Sequence, residues 1–230
     1  LVYLMGGLGV SAFSQVPPAK PIPKQDPVSR PEREAPPMPP PATPERFGGS
    51  SERALAVDPN VNIQLPCISD ARVPVNGWQR DEIRVFVRNG TNVGFKVHEK
   101  SPRTGKPVWV VVGRPAGAPA ASDCISGERI DIEVPIGAML KIVGRETDAR
   151  IDSVKKVEIK NLGGNVALRN VTGGIYAETY EGDVTVENSS GQISLKTSTG
   201  NIIAAEVGPG QVGDLFKAAM PQRVVYVLGA

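Results

Sequence analysis

The sequence predicts an all-β protein in which an antiparallel N-terminal sheet leads into a parallel β-solenoid, or β-helix, of nine-residue strands that start with glycine. Three observations favour this fold class. Glycine recurs every nine residues, at Gly164, Gly173, Gly182, Gly191 and Gly200. Within each unit the third and fifth positions are apolar and alternate with polar residues, which is the pattern of a half-buried strand. Gly and Pro are abundant while aromatic residues make up 5% of the chain, a composition typical of turn-rich β proteins.

The first fourteen residues resemble the end of a secretory signal peptide. An apolar run leads to Ala12 and Ser14, small residues three and one positions before Gln15, as signal peptidase requires. We therefore interpret residues 1–14 as a signal peptide remnant and expect an exported protein, periplasmic or at the cell surface. The absence of an initiator Met and the strand-like end of the sequence suggest a fragment of a longer protein.

Residues 15–50 are predicted to form a proline-rich, disordered spacer. Residues 17–44 hold more than half of the 22 prolines of the chain. Such a segment lacks both backbone donors and apolar mass for a core, so it favours an extended polyproline-type conformation. We expect it to act as a spacer and not as a docking peptide.

Residues 57–143 are predicted to form the N-terminal β-sheet part of the folded domain. Alternating apolar residues indicate strands near Val61–Leu65 and Ile83–Val87. The pair Asn89-Gly90 predicts a hairpin that returns the chain through Val93–Val97, because both residues tolerate positive φ. A further strand at 108–113 looks fully buried.

Cys67 and Cys124 lie within this N-terminal part. In an exported protein a pair of cysteines favours a disulfide over two free thiols. A bridge between them would stabilise the fold by about 4 kcal/mol on the chain-entropy estimate.

Residues 144–207 are predicted to form the solenoid repeats, two nine-residue strands per coil, and 208–230 an irregular or truncated C-terminal segment. An antiparallel meander of the same repeats is the structural alternative, since the short connections would permit hairpins. The repetition of like positions in one phase favours stacking in parallel. The seventh positions are expected to bond turn backbone or to stack between coils: Asn161, Asn170, Thr179, Asn188 and Thr197.

Candidates for chemistry are few. The densest charged cluster has as its candidate residues Asp148, Arg150, Asp152, Lys155 and Lys156. It keeps a carbohydrate-active β-helix enzyme open as an alternative, but a solvated face of strands and turns is the favoured interpretation. The single histidine, His98, is expected on a wet strand face. We predict no catalytic residues, cofactor site or metal site, because the residues for a zinc set or a calcium-binding repeat are lacking.

The stretch VNGWQRDEIRV at 75–85, followed by IDIEVPIGAMLKIVG at 130–144 and the repeated GxVxL and GxIxL units, resembles the putative-adhesin family of unknown function in bacterial envelope proteins. The resemblance covers roughly residues 60–207. It implies a β-solenoid on or outside the membrane. It implies no catalytic residues.

The function predicted from the sequence is that of an exported, non-enzymatic envelope protein with an adhesion, scaffolding or binding role. A ligand sensor coupled to a membrane signalling partner is a further alternative. The partner is expected to be an envelope polymer or protein. Nucleic acid is not expected, because the net charge is only +2. No membrane span is expected in the mature chain, since the apolar N-terminal run is too short.

Overall fold

A computed structural model describes residues 50–115, 117, 124–207 and the backbone strand 223–228. The predicted signal peptide remnant, the spacer up to residue 49 and most of 208–230 lie outside the described residues. The described part is all-β with a mixed sheet. It contains no helix, and therefore none long and apolar enough to cross a membrane. The strands are β1 Ser51–Ala56, β2 Asn62–Trp78, β3 Glu82–Gly90, β4 Gly94–Lys100, β5 Pro107–Gly113, β6 Ile125–Pro135, β7 Met139–Asp152, β8 Lys156–Gly163, β9 Val166–Arg169, β10 Ile175–Glu181, β11 Val184–Glu187, β12 Ile193–Thr199, β13 Asn201–Val207 and β14 Arg223–Leu228.

The strands pair in two hydrogen-bonded rows, which we name ladder A and ladder B. Ladder A runs through β4, β5, the first half of β2, the first half of β7, β8, β10 and β12. Ladder B runs through β1, β3, β6, the second halves of β2 and β7, β9, β11, β13 and β14. Because the long strands β2 and β7 belong to both rows, they join the two ladders to each other. We call one strand of ladder A with the following strand of ladder B a layer.

Within the repeats, each strand pairs in parallel with the strand 18 residues further on, as Ile175 does with Ile193 and Val184 with Ile202. The antiparallel alternative for the repeats is therefore wrong. The apolar third and fifth positions are buried in every unit from Val157 to Ala204. Side chains from both ladders join one hydrophobic cluster, which confirms the predicted inward face.

The corner between ladders A and B carries a residue with positive φ in the layer of β2, in the layer of β7 and in each repeat layer. In the repeats it is glycine, at Gly164, Gly182 and Gly200. A Cβ at Gly182 would lie 2.3 Å from the carbonyl oxygen of Gly164, and the same holds at 2.1 Å for Gly200 against Gly182. Glycine is required there because consecutive layers approach backbone to backbone. Asp70 of β2 and Glu146 of β7 also have positive φ at the corner of their layers, but the register places them opposite Gly163, one residue before the corner glycine Gly164.

The N-terminal part is not the antiparallel sheet that we predicted. β2 pairs in parallel with β5, β6 and β7, so β5 and β6 form a layer that stacks on β2 although they follow it in the chain. Among the described strands, antiparallel pairing is confined to β4 on β5, β3 on β6 and β1 on β3. The predicted boundary at residue 144 falls inside β7, which runs from Met139 to Asp152.

The predicted hairpin at Asn89-Gly90 is wrong, because β3 pairs with β1 and β6 and has no pairing with β4. Asn89 does have positive φ, at 48°. Gly90, however, lies against β6, where an added Cβ would be 2.2 Å from the oxygen of Ser126. The glycine therefore permits a close approach of two strands at the end of β3. The strand at 107–113 is only half covered, since Trp109 is 41% exposed.

Candidate functional site

Cys67 and Cys124 form a disulfide, with their Cα atoms 4.5 Å apart and a separation of 57 positions in the chain. Cys67 lies in β2 where the register of β2 with β7 shifts, and Cys124 precedes β6. The bridge therefore joins the β2 layer to the β5–β6 layer at their shared side. This pairing confirms the predicted disulfide, and it is consistent with an extracellular location.

The predicted charged cluster is spread along β7 and the following turn and does not converge on one point. Asp148, Arg150 and Asp152 lie at alternate positions of β7, and Lys155 and Lys156 lead into β8. Among the described residues, none of the five forms a salt bridge. Lys155 donates from Nζ to Oδ1 of Asn60 at 3.5 Å. Four of the five side chains are exposed, and Asp152 is half-buried.

The two aspartates of this cluster accept hydrogen bonds from the layer that follows. Asp148 Oδ1 accepts from the backbone N–H of Asn165 at 2.9 Å, and Asp152 Oδ1 accepts from Nδ2 of Asn170 at 2.7 Å. The first row continues as Asp183 donates its N–H to Asn165 Oδ1 and Asn201 donates to Asp183. These carboxylates hold adjacent layers together, which is a structural task that the sequence did not assign to them.

Three side chains at the seventh position of the nine-residue unit belong to strands of ladder A and are buried: Asn161, Thr179 and Thr197. The hydroxyl of Thr197 donates to the oxygen of Gly182 at 3.0 Å, and the amide of Asn161 donates to the oxygen of Thr147 at 2.7 Å. In ladder B, Asn188 Nδ2 donates to Asn170 Oδ1 at 2.6 Å. The prediction that these positions bond turn backbone or stack between layers is confirmed.

His98 is exposed, as predicted, and its ring stacks on that of Trp109 with 4.9 Å between the ring centroids. Trp109 borders a groove of about 340 Å³ on ladder A, together with Gln64, Lys141 and Glu158. Lys141 and Glu158 are themselves joined by a salt bridge of 2.9 Å. These two charges of the groove thus neutralise each other, while Lys156, which also lines it, forms no salt bridge among the described residues.

The outward face of ladder A carries a bonded group of three side chains that the sequence analysis missed. Glu178 accepts from Lys196 Nζ at 2.6 Å and from the Tyr176 hydroxyl at 2.8 Å. The Lys196 hydrogen bond is the main cause that lowers the pKa of Glu178, and the hydrogen bond to Glu178 raises the pKa of Tyr176 and of Lys196. The 18-residue spacing of Glu178 and Lys196 is a signal by which the pair could have been found.

Further grooves beside the ladders are open to solvent. One groove of about 490 Å³ lies at the C-terminal ends of the ladder B strands. It is lined by Asp152, Arg169, Asn170, Glu187 and Asn188, among others. Arg169 and Glu187 form a salt bridge of 2.8 Å there. Another, of about 420 Å³ on ladder A, includes the exposed Leu162 and Tyr180. Among the described residues, no group of three or more His, Cys, Asp or Glu is placed to hold a metal ion.

Ladder B also presents three arginines in one cross-strand row, which we name the arginine row: Arg88 of β3, Arg129 of β6 and Arg72 of β2. Arg129 is the direct register partner of both Arg88 and Arg72. All three are exposed, and residues directly opposite each other on neighbouring strands share a face. The sequence could not show this row, because the three residues meet only when β6 inserts between β3 and β2.

The comparisons with known proteins give one structural resemblance. A Clostridium sporogenes ATCC 15579 protein, whose crystal structure describes a putative cell adhesion protein, matches 77% of this chain and 95% of its own chain, with a TM-score of 0.44 and 13% sequence identity. Such a similarity is too distant to establish a shared fold or function. No protein-family model and no curated protein matches the sequence. The resemblance to the putative-adhesin family therefore stays a prediction.

Proposed function

We propose that this chain is an exported, non-enzymatic envelope protein that binds or scaffolds an envelope polymer or protein. In this proposal the layers form a two-strand-per-coil β-solenoid, whose flat outward faces serve as the contact surface. The observation that carries the proposal is the hydrogen bonding of the two candidate acids. Asp148 and Asp152 are engaged as acceptors between layers, and they are not directed together at a common point.

The physical character of the described surface supports a broad contact. Repeats stacked on one another make extended faces that suit polymers or other proteins. Small-molecule and catalytic sites, in contrast, are usually concave and largely apolar, with a few convergent polar groups. The grooves described here are open to solvent, and several of their charged groups pair with each other. The disulfide supports export, because such bridges persist in oxidising compartments.

The test incubates the 230-residue chain with isolated cell-envelope material and with purified envelope polysaccharides, and measures both cosedimentation and product release. Retention without turnover is the expected result. Turnover that disappears in Asp148→Asn or Asp152→Asn would replace the proposal with a carbohydrate-active enzyme. Both variants keep an oxygen that can accept the interlayer hydrogen bond, so a loss of turnover would not simply reflect unfolding.

A further inference from the structure

Opposite charges face each other across neighbouring strands at most of the charged cross-strand positions described here. Examples are Lys141 with Glu158 at 2.9 Å and Lys196 with Glu178 at 2.6 Å. Ladder B has Arg169 with Glu187 at 2.8 Å, and Arg84 with Glu133 at 3.5 Å. Such pairs stabilise a sheet, whereas like charges directly opposite destabilise it.

The arginine row departs from this pattern. Arg88, Arg129 and Arg72 are consecutive register partners on three adjacent strands, so their Cα atoms follow each other at the inter-strand spacing of about 4.8 Å. Arg150 lies two residues beyond Asp148, the register partner of Arg72 on β7, and it is also exposed. The sheet therefore tolerates a local repulsion that its other strands avoid.

The acidic groups around the row form one ion pair with it among the described residues, between Asp131 and Arg129. Asp131 accepts from Arg129 Nε at 2.8 Å, and Asp148 already accepts from the N–H of Asn165. Glu128 accepts from the amide of Asn89 at 3.0 Å. Among the described residues, the guanidinium groups of Arg72 and Arg88 have no hydrogen-bond or salt-bridge partner.

We propose that the arginine row is the docking surface for a linear polysaccharide that carries carboxylate groups. The inference rests on the proposed binding function and names the class of polymer. A guanidinium presents a planar fork of donors that matches a carboxylate in a two-point contact. A polymer of uronic acids carries one carboxylate on each sugar, so its charges recur at about the length of a sugar ring, which is close to the spacing of the strands. Binding would also relieve the repulsion within the row.

Charge and surface character favour this polymer over nucleic acid or an anionic membrane. The net charge of the chain is +2, whereas domains that bind nucleic acid are usually strongly basic. Proteins that lie on membranes usually insert apolar side chains beside the basic ones. The large apolar side chains that are exposed in the described part lie away from the row: Trp109, Ile136, Leu162, Tyr176, Tyr180 and Ile203.

The experiment measures binding of the 230-residue chain to polygalacturonate and to its methyl ester, which has the same backbone without the charges. The test variant is Arg72→Gln with Arg88→Gln. The matched control is Lys100→Gln with Arg103→Gln, which removes the same charge from exposed positions at the end of β4 and in the following turn. Each protein is also melted, and single-stranded DNA and vesicles of anionic phospholipid serve as competing polyanions.

The expected result is binding to polygalacturonate and not to the ester, weakened about tenfold or more in the Arg72/Arg88 variant. The control variant should bind as the unmodified chain does. The melting temperature of the test variant should stay the same or rise, because the substitutions remove a repulsion. A purely structural role for the row would instead lower it.

Where the chain does bind polygalacturonate, four outcomes would overturn the inference: equal binding of the ester, equal weakening in both variants, undiminished binding in the test variant, or tighter binding of DNA or vesicles. If the chain sediments with envelope material but ignores polygalacturonate, this inference fails while the proposed binding function stands. If it is retained by no envelope component, the proposed function itself fails.

Discussion

The repeat layers, from β8 to β13, and the earlier layers, built from β5 with β6, from β2 and from β7, stack in one continuous parallel register but reach it by different means. In the repeat layers the corner between the ladders is always glycine, because its Cα lies directly against the backbone of the preceding layer. In the layers of β2 and β7 the corner residues with positive φ are Asp70 and Glu146, which lie one register position earlier. The comparison shows that the left-handed corner belongs to the fold, whereas the glycine is imposed by close stacking.

The largest expected effect is a buried charge in the repeat layers. Val184 is fully buried, so Val184→Asp places a carboxylate in the apolar cluster and should destabilise the chain by more than about 4 kcal/mol. Thr185→Asp, on the outward face of the same strand, is the control and should cost less than about 0.5 kcal/mol. Urea unfolding measures both. Similar losses in the two variants would contradict the assignment of inward and outward faces.

The disulfide distinguishes the earlier layers, since it ties β2 to the start of β6. Reduction should cost about 4 kcal/mol on the chain-entropy estimate for a loop of this length. Hydrogen exchange should accelerate in β2 and β6 more than in β10–β13. In protein from an oxidising compartment, Cys67 and Cys124 should resist alkylation until reductant is added. Free labelling of both thiols without reductant would disprove the bridge.

The corner comparison itself is tested by two alanine substitutions. Gly182→Ala should cost more than about 2 kcal/mol, because the new Cβ meets the oxygen of Gly164 and φ is +122°. Glu146→Ala, at the positive-φ corner of β7 where a Cβ is already accommodated, should change the free energy of unfolding by less than about 1 kcal/mol. If both variants are equally tolerated, close stacking does not explain the glycine period.

The smallest expected effect is the pH dependence of the Tyr176–Glu178–Lys196 group. Because the pKa of Glu178 is lowered in the fold, its contribution is present above the usual carboxyl range of about 4 and is lost as the pH falls below it. The raised pKa of Tyr176 and of Lys196 makes their contribution disappear above about pH 10. Melting temperatures of Glu178→Gln and of the unmodified chain should converge at both extremes. A constant difference from pH 3 to 11 would exclude the linkage.

Much of the repeat region could be predicted from the sequence, because identical layers impose identical residues. The inward Val184 and the turn-bonding Thr197 follow from their position in the nine-residue unit. The stacking order of the earlier layers could not be predicted, since β5 and β6 stack on the side of β2 that faces away from β7. The local turn signal Asn89-Gly90 was misleading there. Asn89 does have positive φ, but the residue that decides the role of Gly90 is Ser126, which is far away in the chain.

The alternation of the two ladders also sets the length of sequence that can be duplicated without disrupting the fold. Neighbouring nine-residue units are not equivalent, because Thr179 and Thr197 belong to ladder A and bond turn carbonyls from within, whereas Asn170 and Asn188 belong to ladder B and bond one another. A duplication of nine residues would place each kind in the wrong row. A duplication of 18 would copy corner, core and hydrogen-bond donors intact, so descendants of this gene are expected to differ in repeat number by whole layers.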